Sequence, residues 1–250
     1  MANNELSGPA VTIFLAKWIA KKKRKYTYRI VFIPETIGSI SYLSRNKNKL
    51  KKNVVAGFNI TCVGDNRSYS YVPSRNGDTL SDRVGLQVLR NITKKYKKYS
   101  WLDRGGDERQ YCSPGIDLPI ATIMRTKYGT YKEYHTSLDN LKNLVTPKGL
   151  EGGFKLIKKA LETIENNRYF QSRFFCEPQM SKRSLYPTIG KKQHVSKDIR
   201  LMMNIISYCD GRHSVIDISE KLNKSQNEIN KILLKLIKLK LVYQVNEYQN

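Results

Sequence analysis

The sequence predicts an α/β protein with helices on both faces of its sheet, followed by a small helical domain. Over about the first 168 residues, strand-like segments alternate with helix-like ones, and each strand candidate is a nearly continuous apolar run. Such runs are typical of strands that are covered on both faces. The pattern is lost over 169–195 and becomes helical again over 196–250. We therefore expect a domain at 1–168, a linker at 169–195 and a second domain at 196–250.

The first domain begins with a helix and continues into strands. Residues 8–20 are apolar on nearly every side, as a helix covered by other elements would be. The β-branched and aromatic run TYRIVFIP at 27–34 predicts an inner strand that stops at its proline. The remaining predicted elements are a helix starting near 36–39, a basic loop, a strand at 53–63, a polar loop, a helix at 80–95, a Gly-rich charged segment at 101–115, a strand at 117–125 and a helix at 148–166.

The C-terminal part has three short helical patterns and a β-like end, which resembles a winged helix-turn-helix. In the third pattern, Ser225 and Glu228 have the spacing of a capping box. The outer face of this helix would carry lysines for phosphate contacts and two amides for base contacts. The residues concerned are Asn227, Asn230, Lys231, Lys235 and Lys238.

The charge of the chain has two interpretations. Its 45 Lys and Arg against 21 Asp and Glu give a formal net charge of +24. An excess of this size points to nucleic acid, an anionic membrane or an acidic partner. The lysines are spread along the chain together with many Asn, Ile and Tyr, which is also what a genome-wide bias toward Lys-rich coding produces.

The cysteines and the apolar runs bear on the compartment. Four cysteines stand at 62, 112, 176 and 209 without a CxxC pair, which fits neither a disulfide framework nor a zinc ribbon. The apolar run at 9–20 is shorter than the ~20 residues that a membrane span needs. Its cationic cluster follows the run, whereas in a signal peptide it precedes the run. We expect a cytoplasmic protein without a membrane segment.

His135 is the first candidate for a metal ligand, and it lies in the stretch KEYHTSLDN at 132–140. A single loop histidine is ordinarily a hydrogen-bonded surface residue. However, Glu35 directly follows a predicted strand, and catalytic residues of open α/β sheets gather at strand ends. An imidazole and a carboxylate on adjacent loops are what a zinc site requires. Asp139 would either orient the imidazole or cap a following helix.

Five sequence blocks together resemble one bacterial family. The blocks are NELSGP at 4–9, FIPETIGSI at 32–40, GFNITCVGD at 57–65, LDRGGDERQYCSPGIDLP at 102–119 and YHTSLDN at 134–140. They resemble the aminopeptidase-like family DUF4910, which is related to the zinc aminopeptidases of peptidase family M28. Members often lie among polysaccharide-biosynthesis functions, and many carry a C-terminal winged helix. The resemblance implies a three-layer α/β/α sheet of the zinc-peptidase (phosphorylase/hydrolase-like) type, here incomplete at its N-terminus.

The resemblance also implies a metal site with one zinc ion. His135 would be a zinc ligand, and Glu35 would be either a second ligand or the general base. Asn4 stands where the family has a ligand aspartate, and a neutral amide is a poor replacement for a carboxylate. Because Thr61 or Cys62 stands where related enzymes have a further aspartate, a second metal ion is not expected.

The block DERQY would contribute the groups around the substrate. Asp107 and Glu108 are placed near the metal by the resemblance, and either could be the base instead of Glu35. Arg104 and Arg109 would be available for an anionic group of the substrate. Tyr134 would contact a peptide or another small substrate with an amide bond.

These residues are compatible with three alternative functions. The first is the C-terminal portion of a zinc-dependent aminopeptidase-like hydrolase with little turnover as it stands, because the family's first strands and a ligand histidine would precede Met1. Either a gene remnant or a start at an internal methionine would explain such a chain. The second function is DNA binding through 196–250. The third is a non-catalytic remnant that binds a sugar, a peptide or a protein.

Overall fold

The computed structural model describes residues 1–180, 182 and 197–246. The chain divides into two compact units, Met1–Glu165 and Asn166–Asn250. Each unit has its own sheet and its own helices. No helix in the described ranges is long and apolar enough to cross a membrane.

The first unit is a mixed α/β domain. Its elements, in chain order, are a π-helical turn (Ala2–Leu6), α1 (Ser7–Ala20), α2 (Ile37–Asn53), β1 (Gly57–Asn59), β2 (Ser70–Val72), α3 (Leu80–Ile92), β3 (Lys97–Lys98), a 3-10 turn (Trp101–Asp103), α4 (Glu108–Tyr111), β4 (Ile120–Met124) and α5 (Pro147–Glu165). The helices that the sequence predicts at 8–20, 80–95 and 148–166 are confirmed as α1, α3 and α5, with small shifts at their ends.

The sheet of the first unit has the strand order β1-β4-β2-β3. β1 is parallel to β4, with Gly57 opposite Ile120, whereas β2 is antiparallel to β4, with Ser70 opposite Met124. β2 is parallel to β3. Therefore β4 is an inner strand and β1 is an edge strand.

Helices cover both faces of this sheet, as the sequence predicts. Ile120 of β4 packs against a cluster that contains Leu43 and Leu50 of α2. Ile123 faces the other side, where a Cβ atom on Gly85 of α3 would lie only 2.9 Å from its Cγ2 atom. Because alternate residues of a strand point to opposite faces, α2 and α3 lie on opposite sides of β4.

The strand expected at 27–34 is not formed, which corrects the sequence analysis. Residues 27–34 are neither helix nor strand and are largely exposed. No backbone–backbone hydrogen bond joins 27–33 to any other described residue. A strand exists only when a neighbouring strand pairs with it, and the described part of the first unit offers none to this segment.

Two further assignments were also wrong. The lysines at 47–52, expected in a basic loop, belong to α2, because Leu43 and Leu50 fall on one buried side of that helix and pack with Leu118. The segment after β1, expected to be a polar loop, contains the fully buried strand β2. Its three residues, SYV, were too few to reveal a strand in the sequence.

The second unit has a three-stranded antiparallel sheet and three helices in its described part. Its elements are β5 (Tyr169–Ser172), α6 (Lys197–Ser207), β6 (Asp210–Ser214), α7 (Val215–Leu222), α8 (Gln226–Lys238) and β7 (Val242–Val245), with strand order β6-β5-β7. Residues 169–172 were expected in the linker, but they form the central strand, with Tyr169 opposite both Ser214 and Val245. The rest of the expected linker falls largely on 181 and 183–196, outside the described residues.

The helix α8 has the predicted orientation. The Oγ atom of Ser225 accepts a hydrogen bond from the amide of Glu228 at 3.2 Å, and Ile229, Leu233 and Leu236 are buried. The outer side of the helix carries polar residues together with the exposed Leu234. Asn227, Lys231, Lys235 and Lys238 are exposed there and Asn230 is half-buried.

Candidate active site

A cavity of about 880 Å³ lies in the first unit, and several of the predicted site residues line it. Asn4, Glu35, Asp107 and Tyr134 are among the lining residues, and Glu5 joins them. We call the three carboxylates Glu5, Glu35 and Asp107 the acidic cluster. Glu5 was not identified as a site residue from the sequence, although it adjoins Asn4 in the NELSGP block.

Glu35 titrates differently from an ordinary carboxyl group. Its partial burial raises its pKa, and the negative charges of Asp107 and Glu5 raise it further, while Arg109 lowers it. The Nη2 atom of Arg109 lies 3.9 Å from Oε1 of Glu35, which is too long for a strong ion pair. The net effect is a carboxylate that takes up a proton more readily than usual.

Asp107 and Arg109 hold the turn that carries Glu35. Oδ1 of Asp107 accepts a hydrogen bond from the amide of Thr36 at 2.8 Å. Nη2 of Arg109 donates to Oγ1 of the same threonine at 2.6 Å. Thr36 has a φ of +64°, an uncommon conformation for a β-branched residue, so these two contacts help to keep the turn in place.

Glu108 is adjacent to Asp107 in sequence but points into the protein. Its carboxylate accepts hydrogen bonds from the amides of Gly105 and Gly106, both at 3.0 Å, from Nδ2 of Asn59 and from the hydroxyl of Tyr128. Burial raises its pKa, but the hydrogen bonds from Tyr128 and the two glycine amides outweigh burial, and the pKa is lowered. A fully hydrogen-bonded carboxylate of this kind is a poor proton acceptor, so its role is structural.

Asn4 is held by hydrogen bonds to neighbouring side chains. Its Nδ2 atom donates to Oε1 of Glu5 at 2.8 Å, and its backbone carbonyl accepts from Oγ1 of Thr61 at 3.0 Å. The thiol of Cys62 lies 3.6 Å from the Oδ1 atom of Asn4. Burial raises the pKa of this thiol to about 12, so it stays protonated and brings no negative charge to the site.

Asp139 has a capping role, but not for a helix that follows it. It is 1% exposed, and its carboxylate accepts hydrogen bonds from the amides of Asn3 at 2.6 Å and Asn4 at 3.2 Å. These amides lie in the π-helical turn at the start of the chain, which continues into α1. Asp139 therefore positions Asn4 and Glu5 from more than 130 residues away in sequence.

His135 and Arg104 do not line the cavity. The ring of His135 is stacked on the ring of Tyr134, with centroids 4.0 Å apart, and the residue is exposed with a φ of +57°. Arg104 is exposed and lies over the ring of Trp101 at 4.8 Å. Glu108 and Arg109 do not line the cavity either.

Comparisons with known proteins assign each of the two parts of the chain to a family. Residues 1–167 match a family model described as a domain of unknown function, DUF4910. The chain belongs to the DUF4910 family. Residues 168–244 match a winged helix-turn-helix family. Both assignments confirm the resemblances found in the sequence.

Relatives of this DUF4910 protein are aminopeptidase-like. A Clostridium acetobutylicum protein, named as a polysaccharide biosynthesis protein with an aminopeptidase-like domain, is 42% identical over 222 residues, which are 88% of this chain and 50% of the relative. A crystal structure of a protein from the same species, described as a peptidase, has a TM-score of 0.84 at 37% identity and covers 98% of this chain and 55% of its own. The chain thus spans about half the length of the relatives that it matches.

More distant structures share the fold of the first unit. A zinc aminopeptidase from Bacillus subtilis has a TM-score of 0.54 at 16% identity, and the match covers 65% of this chain and 42% of that enzyme. A Legionella protein named LapA has a TM-score of 0.52 at 18% identity over 66% of this chain. These similarities confirm the aminopeptidase-type fold.

The donor groups in the described residues of this DUF4910 chain do not by themselves form the zinc site expected from the sequence. A protein zinc site has three or four ligands from Cys, His, Asp or Glu. In the described residues, no group of three or more such side chains is placed to hold a metal ion. Of the expected ligands, the imidazole of His135 packs on Tyr134 and the amide of Asn4 is hydrogen-bonded to Glu5.

Proposed function

We propose that the first unit contributes the acidic wall of an aminopeptidase-like site that hydrolyses a peptide bond or another small amide. The observation that carries the proposal is the position of Glu35. It lies in the cavity beside Glu5 and Asp107, and its pKa is raised. The aminopeptidase-like domain of the C. acetobutylicum relative supports the same reaction class.

Glu35 is the proton acceptor in this proposal. Its raised pKa makes it a better base near neutral pH than an ordinary carboxylate, and it would take the proton of a water molecule that attacks the amide carbonyl. Arg109, 3.9 Å away, is exposed enough to meet an anionic group of a substrate. Tyr134 lines the same cavity and offers a ring surface against which a substrate can pack.

Zinc binding is the alternative role of Glu35, in which it would be a ligand together with His135 and not the proton acceptor. The name of the relative also suggests that the substrate belongs to polysaccharide biosynthesis, where N-acylated sugars contain amide bonds.

The experiment uses the full chain with leucine p-nitroanilide as substrate and zinc in excess. We expect slow hydrolysis by the native chain and at least tenfold faster hydrolysis by Asn4→Asp, which adds a carboxylate next to Glu5. Glu35→Gln should abolish that gain, whereas Glu151→Gln on the exposed side of α5 should not change it. The proposal is wrong if no variant hydrolyses the substrate faster than buffer alone, or if Glu35→Gln leaves the faster hydrolysis by Asn4→Asp unchanged. Either result would favour the non-catalytic alternative.

The second unit supports a separate candidate function, which is DNA binding. The winged helix-turn-helix match and the exposed lysines on α8 favour it. We expect an affinity for duplex DNA that falls steeply with salt and that Lys231→Ala with Lys235→Ala weakens. Lys142→Ala with Lys148→Ala removes two exposed charges from the first unit and is the matched control. Binding that is absent or insensitive to salt would exclude this function.

A further inference from the structure

Arg125, which directly follows β4, is a buried cation without a carboxylate partner. It is 4% exposed, and it forms no ion pair with any of the residues that the structure describes. Its Nε atom donates to the backbone carbonyl of Asp65 at 2.8 Å, and its Nη2 atom donates to Oδ1 of Asn66 at 3.0 Å. Both acceptors are neutral. Because a guanidinium group keeps its proton in proteins, a buried one without a counter-ion costs free energy.

The carboxylate of Asp65 is close in sequence to these contacts, but it is engaged elsewhere. Its oxygens accept hydrogen bonds from the amide of Arg67 and from the amide and the hydroxyl of Thr126. The ring of Tyr69 offsets part of the cost, because its centroid lies 3.8 Å from the Cζ atom of Arg125 in a cation–π contact. This contact spreads the charge over an aromatic face but does not neutralise it.

Three hydrogen-bond donors around this guanidinium have no acceptor among the described residues. They are Nη1 of Arg125, the hydroxyl of Tyr69 and Nδ2 of Asn66, and we call them the donor cluster. Two of them approach Gly152 of α5, because a Cβ atom on Gly152 would lie 3.0 Å from Nη1 and 3.1 Å from the hydroxyl oxygen. The third belongs to the amide whose Oδ1 atom already contacts Arg125. The donors therefore surround one small region of the surface.

This region is open to solvent and has a positive charge. Gly152 is half-buried and Asn66 is exposed, so a ligand can reach the donors. Glu151 precedes Gly152, but its carboxylate lies 2.6 Å from Nζ of Lys155, which balances its charge. Lys148 is exposed one turn earlier in α5. The local charge therefore favours an anion.

The remaining donors suit a phosphoryl group better than a carboxylate. A carboxylate pairs best with two parallel N–H groups on one edge of a guanidinium. In Arg125, N–H groups of Nε and Nη2 already donate to Asp65 and Asn66, so this side-on edge is occupied. The free donors belong to three separate side chains, which can each meet a different oxygen of a tetrahedral ion.

We propose that the donor cluster binds a phosphate-type oxyanion, either inorganic phosphate or the phosphoryl group of a small molecule. Arg125 supplies the charge, and the hydroxyl of Tyr69 and the amide of Asn66 donate to further oxygens. The bound anion provides the missing counter-ion and so stabilises the first unit. None of these residues lines the cavity, so the site is separate from the acidic cluster and does not rest on hydrolysis.

The test follows urea unfolding of the full chain at neutral pH by tryptophan emission, in phosphate and in chloride at equal ionic strength. Both tryptophans lie in the first unit. A ligand that binds only the folded state with a dissociation constant of about 2 mM, present at about 20 mM, raises the folding equilibrium constant about tenfold. We expect a rise of about this size in phosphate.

Two variants address the donor cluster. Gly152→Ala places a methyl group in front of Nη1 of Arg125, and Tyr69→Phe removes the hydroxyl but keeps the ring. Each should lose most of the phosphate effect, and because each variant is compared with itself in chloride, a change in its own stability does not enter. Tyr243→Phe is the matched control, since its ring also lies against an arginine, Arg173, at 5.1 Å but in the second unit. It should keep the full effect.

Other anions identify the ligand. Stabilisation by glycerol phosphate as strong as that by inorganic phosphate would indicate a phosphorylated small molecule, whereas a preference for inorganic phosphate would indicate the free ion. Three results would overturn the proposal: no stabilisation by either phosphate, equal stabilisation by acetate, or an effect that either donor-cluster variant retains in full, which would mean a general salt effect. Hydrolysis plays no part in these readouts, so the proposed function and the donor cluster can fail separately.

Discussion

Asp139→Ala should destabilise the first unit, because Asp139 caps a helix start that is distant in sequence. Its buried carboxylate accepts hydrogen bonds from the amides of Asn3 at 2.6 Å and Asn4 at 3.2 Å. Removal of the carboxylate leaves both amides without these acceptors. Because the π-helical turn continues into α1, the loss also releases the residues that place Asn4 and Glu5 in the cavity.

The magnitude follows from the two contacts. A hydrogen bond to a charged group contributes about 1.5–3 kcal/mol, and the loss of a helix N-cap costs about 0.5–2 kcal/mol. The second contact is long, so we expect Asp139→Ala to lower the free energy of unfolding by about 2–4 kcal/mol. Asp139→Asn keeps one acceptor oxygen and should cost about half as much.

Tryptophan fluorescence isolates the first unit in this measurement. The chain has two tryptophans, Trp18 and Trp101, and both lie in Met1–Glu165. Guanidinium unfolding followed by their emission gives the free energy for this unit. Asp78 is exposed, and Asp78→Ala is the control. It should change the free energy of unfolding by less than about 0.5 kcal/mol, as surface substitutions usually do. A similarly small effect of Asp139→Ala would refute the capping argument.

Three other substitutions test the scaffold of the site. Glu108→Gln should lower stability at pH 7. Because folding lowers the pKa of Glu108 from its ordinary 4.5, the native carboxylate stabilises the fold above that pH and loses this contribution as the pH falls through the lowered pKa. The denaturation midpoint of the variant should therefore depend less on pH in this acid range. Gly153→Ala should lower the free energy of unfolding in guanidinium by about 1–3 kcal/mol, because the added Cβ atom would lie 2.3 Å from the carbonyl oxygen of Val63. Equal stability of the variant would mean that α5 can shift. Thr79→Ala removes half of the capping box with Asp82 and should cost about 1 kcal/mol in the same assay, and no loss would exclude a role for the cap.

The helices could be predicted from sequence because their signals are local. α3 begins where the sequence places a threonine cap three residues before an aspartate, and α5 has an apolar side at helical spacing. The helix α2 extends further than the sequence predicted. The lysines at 47–52 were predicted in a loop, although Leu43 and Leu50 continue a helical face through them.

The site was predictable only in part. The sequence blocks place Glu35 and Asp107 after different elements, and the structure brings both to one cavity. The same reasoning gave Glu108 an equal role, because sequence alone does not show which of two adjacent carboxylates turns inward. The orientation depends on the amides of Gly105 and Gly106, which form a pocket that only the folded loop creates.

Residues 27–33 show most clearly where local prediction ends. The run TYRIVFI has the composition of a strand, and that preference reflects side chains suited to a half-buried, pleated surface. A strand, however, is defined by hydrogen bonds to a partner, and no backbone–backbone hydrogen bond joins 27–33 to another described residue. Side-chain composition therefore predicts where a strand is favourable, whereas the formation of a strand also depends on a neighbouring edge that the local sequence does not specify.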